Sequence, residues 1–95
     1  MDAPWTFKTD DRSSAFCWEI VGESRRLFDL SAEEAIGRLN RHWKGQEIVG
    51  EDIVYHELPA YWAHVIYYGK DSFWWITGEK REKMNLGAVK PKPYP

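Results

Sequence analysis

The stretch Ala15-Phe16-Cys17-Trp18-Glu19-Ile20-Val21-Gly22-Glu23-Ser24-Arg25-Arg26-Leu27-Phe28-Asp29-Leu30 decides the fold, because it can be read in two ways. Ala15 to Val21 is rich in aromatic and β-branched residues, which pack well on a pleated surface. Gly22-Glu23-Ser24 supplies turn chemistry, and Arg25 to Leu30 can return as a further strand. The rival is one helix from Ser14 to Phe28, with Phe16, Ile20 and Leu27 on a common face. Gly22 would then stand inside the helix at a cost of about 1 kcal/mol. That cost and the Cys/Trp/Ile/Val content favour strands.

Upstream, Trp5-Thr6-Phe7-Lys8-Thr9 alternates and predicts a short strand, followed by polar turn material from Asp10 to Ser14. Downstream, Ser31 to Lys44 predicts a helix. Ser31 can cap it, with Glu34 three residues on to close a capping box and Leu30 to staple onto Ala35. Ala32, Ala35, Ile36, Leu39 and Trp43 share one face. Glu33, Arg38, Arg41 and Lys44 fall largely on the other, acids early and bases late as the helix dipole prefers. Gly45 is the stop signal.

Two short apolar clusters follow, Ile48-Val49 and Ile53-Val54-Tyr55, separated by Gly50. Pro59 near the start and Gly69 just past the end predict a helix over Pro59–Tyr68. The alternative is a strand from Trp62 to Tyr68, turned through Gly69-Lys70-Asp71 onto Phe73–Thr77. With the helix, Phe73–Thr77 still reads as a strand. The expected architecture is therefore α+β: a small antiparallel sheet from the N-terminal strands and Phe73–Thr77, covered by one or two helices. An all-α bundle of three or four helices is the alternative. Residues 1–78 read as one compact domain. Residues 79–95 read as a charged, proline-containing C-terminal segment, mobile unless Tyr94 docks.

The chain has 95 residues, 13 Lys+Arg against 15 Asp+Glu, a net charge of −2, and 43% hydrophobic residues. Those figures exclude dominant disorder and disfavour a strongly basic nucleic-acid binder. The longest apolar runs, such as Val65–Tyr68, are far below the ~20 residues of a membrane span. One cysteine, Cys17, allows no intramolecular disulfide, and Met1-Asp2-Ala3-Pro4-Trp5 lacks the apolar core of a signal peptide. The expected location is the cytoplasm.

Aromatic residues make up 16% of the chain. Each ring can bury roughly 150–250 Å². Six Trp, five Tyr and four Phe exceed what so small a core can hide. Eight of the 21 residues from Tyr55 to Trp75 are aromatic. On a helix over Pro59–Tyr68, the Tyr61, His64 and Tyr68 stripe would lie opposite Trp62, Val65 and Ile66. Trp74 and Trp75, as neighbours on a strand, would point to opposite faces. The candidate binding residues are Tyr61, His64, Tyr68, Trp74 and Trp75. Removing the Tyr61 and Tyr68 rings together is expected to abolish association and leave stability nearly unchanged.

No catalytic or metal-binding residue is singled out, and no cofactor is expected. His56-Glu57 begins like a zinc-protease helix, but Pro59 follows and the next histidine, His64, is too far on. Asp52, His56, Glu57 and His64 have no ligand spacing. The expected function is a small non-catalytic protein-interaction module, either an adaptor bound to a protein partner or a self-associating chain. One alternative is binding of single-stranded nucleic acid or a small ligand by surface rings with Lys80, Arg81, Lys83, Lys90 and Lys92. Another is a small enzyme with a His/carboxylate site.

Overall fold

Asp10 starts the first long helix. Its carboxylate accepts from the Ser13 N–H at 2.9 Å, and the Ser13 hydroxyl accepts from the Asp10 N–H at 2.9 Å. This reciprocal cap satisfies two otherwise orphaned donors. In the computed structural model, which describes residues 3–50, 55 and 57–94, helix α1 then runs Asp11–Phe28. Ser13, Cys17, Ile20, Val21 and Ser24 form its buried face at helical spacing. Arg25 and Arg26 occupy its last turn, and Asp29 ends it in the left-handed region at φ 54°.

The expected antiparallel sheet is therefore overturned. The proposed strand Ala15–Val21 lies wholly inside α1, and Arg25–Leu30 begins in its last turn. Gly22 faces solvent, and a side chain added there would meet nothing within 4 Å. Its penalty is one of propensity alone, which burial of the opposite face outweighs. Phe73–Thr77 is not a strand either: the Ile76 N–H turns back to the Phe73 carbonyl at 3.0 Å. The one sheet among the described residues is parallel, β1 (Lys8–Thr9) beside β2 (Glu47–Ile48), with Lys8 opposite Glu47. The molecule is mostly helical, nearer the all-α alternative.

Helix α2, Ala32–His42, is capped by Ser31, whose hydroxyl accepts from the Glu34 N–H at 3.0 Å. The Glu34 carboxylate turns to Arg38 at 2.7 Å, so only half of the expected capping box forms. Ala35, Leu39 and Trp43 are buried as their spacing predicts. Helix α3, Pro59–Tyr68, has proline in its first turn and ends where the Gly69 N–H meets the Val65 carbonyl at 2.7 Å. A short helix α4 covers Gly78–Lys83. Of the second apolar cluster, Ile53 and Val54 lie outside the described residues.

The core joins α1, α2 and α3. Ile20, Cys17, Leu39, Ala35, Ala63 and Ile66 sit at its centre. Phe7 and Trp43 meet edge to face at 5.7 Å, and Trp43 meets Trp62 likewise at 5.5 Å. The arm before α1 is pinned by Asn40, which accepts from the Thr6 N–H at 3.0 Å and donates to the Pro4 carbonyl at 3.1 Å. Asp10 also accepts from the Gly50 N–H at 2.7 Å. That bond, with the Ser13 cap, lowers its carboxyl below the ordinary range. No helix among the described residues is long and apolar enough to cross a membrane.

Cys17 is fully buried, and burial pushes its thiol up to about 12. Because the thiolate is the reactive form, native Cys17 is expected to react with a disulfide reagent at pH 8 roughly three orders of magnitude more slowly than an ordinary thiol. Ellman's reagent with and without guanidinium chloride checks this. Prompt labelling of the folded chain would contradict the burial.

Candidate functional site

Helix α3 sets Tyr61, His64 and Tyr68 along one stripe, beside the residues it buries. Residues 70–77 fold back over that stripe. The Trp74 indole stacks on His64 at 4.2 Å and 17°, and lies 6.1 Å from Tyr61. From α1, Phe28 meets His64 and Tyr68 edge-on at 5.3 and 5.4 Å and stacks on Tyr67 at 4.0 Å. Tyr61, His64, Tyr68 and Trp74 are thus half-buried among rings of the same chain. His64 donates from Nδ1 to the Ala60 carbonyl at 2.8 Å, which leaves Nε2 as an acceptor when the ring is neutral. The Trp74 N–H is buried without a hydrogen-bond partner among the described residues.

Two rings stay out. Phe73 is 41% exposed and Trp75 54%, and their centroids lie 5.6 Å apart. Beside them, His64, Tyr68, Trp74, Trp75, Thr77 and Val89 line an open groove of about 470 Å³. A second depression, about 540 Å³, is lined by Glu19, Gly22, Glu23, Arg26 and Pro59. Its walls carry no ring and its Arg26 is already paired with Glu23, so the aromatic groove is the better candidate.

The loop that carries these rings is organised by Arg81. Its Nη1 donates to the carbonyls of Phe73 (2.9 Å) and Ile76 (3.2 Å), its Nη2 to Ser72 (3.2 Å), and its Nε to Gly87 (2.5 Å). A planar fork of five donors suits such a set, and an ammonium does not. Phe73 turns through φ 52°, a left-handed conformation that a bulky residue rarely adopts. Arg81→Lys is expected to loosen residues 72–76 and raise chymotryptic cleavage after Phe73, Trp74 and Trp75 about tenfold, as the loss of one or two such bonds implies. Unchanged cleavage would show that the fork does not hold the loop.

Sequence reasoning brought together Tyr61, His64, Tyr68, Trp74 and Trp75, and the structure places all five in this one cluster. It missed Phe73 as a presented ring and Arg81 as an organiser. A lone arginine in the charged run Glu79–Lys83 carries no signal that it will cap carbonyls. Among the described residues no three His, Cys, Asp or Glu side chains converge to hold a metal ion. Asp52 and His56 lie outside the described residues. Compared with known proteins, the chain matches no family model, no curated protein and no solved structure.

Proposed function

We propose that the chain is a small non-catalytic protein-interaction module of the cytoplasm. Its binding edge is Phe73 and Trp75, and Tyr61, His64, Tyr68 and Trp74 form the platform behind them. One observation carries the reading: two large apolar rings stand side by side, out in solvent, on a loop tied down at three carbonyls. Exposed aromatic anchors beside a groove are the usual centre of a protein-binding surface, because they bury area at little entropic cost. The left-handed backbone at Phe73 adds support. It costs about 1–2 kcal/mol that a glycine there would avoid, and what it presents is a ring. The single cysteine fits a reducing compartment.

The nucleic-acid reading has less behind it. Of its five bases, Arg81 is committed to backbone carbonyls and Lys83 lies 3.3 Å from Glu79.

Trp75→Ala is the sharper test than removal of Tyr61 and Tyr68, whose rings also pack inward. Sedimentation equilibrium reads self-association; a purified partner from the host is titrated by calorimetry. Trp75→Ala is expected to weaken the association constant about thirtyfold, as loss of a hot-spot ring does, with the melting temperature nearly unchanged. Undiminished association by the variant would reject the assignment.

A further inference from the structure

Arg38 is charged, yet its side chain is only 7% exposed. Its cover is the segment around Lys92. Arg38 Nη1 donates to the Lys92 carbonyl at 2.8 Å, while its Nε is fixed by Glu34 at 2.7 Å. One turn along α2, Arg41 Nη1 donates to the Pro93 carbonyl at 2.6 Å. From α3, the Tyr67 carbonyl accepts from the Lys92 N–H at 2.8 Å. Three main-chain groups of an extended segment thus each meet a partner held on a helix.

Tyr94 completes the arrangement. Its ring lies against Gly37, where an added Cβ would stand 2.7 Å from Cζ and collide with the hydroxyl. The guanidiniums of Arg38 and Arg41 stand 5.3 and 5.5 Å from the ring centroid, within cation–π range. Residues 91–94 are all exposed, and none belongs to the core. They are held by main-chain polar groups and one ring, as a bound peptide is, and not by burial of apolar side chains. Pro91 and Pro93 fix φ beforehand, so ordering the segment costs little entropy.

We propose that the α2 face around Gly37 is a peptide-recognition site for an extended, proline-flanked tyrosine segment. Residues 92–94 occupy it in cis, and the same segment of a second copy can take their place. The site is separate from the Phe73–Trp75 edge, so either reading can fail without the other.

The test uses the full chain and a fluorescent peptide copying residues 90–94. The Tyr94→Ala chain is expected to bind the peptide at least about tenfold more tightly than the unaltered chain, whose own segment competes at high effective concentration. Gly37→Ala added to Tyr94→Ala fills the notch and is expected to remove this binding. Alanine favours a helix, so that loss cannot be put down to a broken α2. Trp75→Ala added instead should leave it intact. No saturable binding to Tyr94→Ala, or binding indifferent to Gly37→Ala, overturns the proposal. So does a Tyr94→Ala chain that fails to fold, because the segment is then a strut and not a ligand.

Discussion

Leu39→Ala is expected to lower the free energy of unfolding by about 2–5 kcal/mol. Leu39 is 1% exposed and sits in the cluster where α2 meets the cores of α1 and α3, with Ile20, Ala35 and Ile66. Truncation removes the transfer energy of the lost carbons and leaves a cavity that helix–helix packing cannot close without shifting α2. For a domain of this size total stability is on the order of 5–15 kcal/mol, so the loss is a large fraction of it. Urea unfolding followed by circular dichroism gives the figure. A loss under about 1 kcal/mol would show that the junction repacks freely and that Leu39 is not central.

The second large effect is on acid stability. His42 is half-buried at the end of α2, with its ring 5.8 Å from Trp43 and 6.4 Å from Trp62. Burial first, then the positive charges of Lys92, Lys70 and Arg41, push its pKa down to about 4 from 6.5. The folded state therefore disfavours the imidazolium, and the unfolded chain takes the proton at the ordinary value. Between pH 6.5 and 4 the unfolded state binds more protons, so stability falls as pH falls through that window. At about 1.4 kcal/mol per pH unit the loss by pH 4.5 is about 2–3 kcal/mol. Urea titrations at pH 7 and pH 4.5 measure it, and His42→Gln should flatten the difference. An equal slope in the variant would place the acid lability elsewhere.

Where the chain carried its own local punctuation, the sequence was legible. Ser31 and Gly45 bracket α2, and Pro59 and Gly69 bracket α3, each by chemistry within a turn of the boundary. For α1 the decisive cap, Asp10 to Ser13, sat in a run of polar residues that reads equally as a turn. The residues behind it favour a strand intrinsically, and the packing of Cys17, Ile20 and Val21 overrides that preference. Phe73–Thr77 failed for a related reason. Its apolar rings suit a strand, but the path is set by Arg81 and by a left-handed Phe73.

The site was half legible. The excess of rings is a property of composition, and it located the cluster. Which rings remain bare depends on a loop that no periodicity describes. Arg38 shows the limit most plainly: its spacing sets it opposite the apolar stripe of α2, yet it is buried and hydrogen-bonded to a carbonyl 54 positions away.

The parallel ladder joins Lys8 to Glu47, positions 39 apart. Closing so long a ring costs roughly 3 kcal/mol of chain freedom. Two paired residues on each side, at about 1 kcal/mol net per hydrogen bond, hardly offset that. The helical hairpin of α1 and α2, lying between the two strands, has to bring them together beforehand. In the order of assembly the ladder is a late clasp, and the local helix pair is what it fastens.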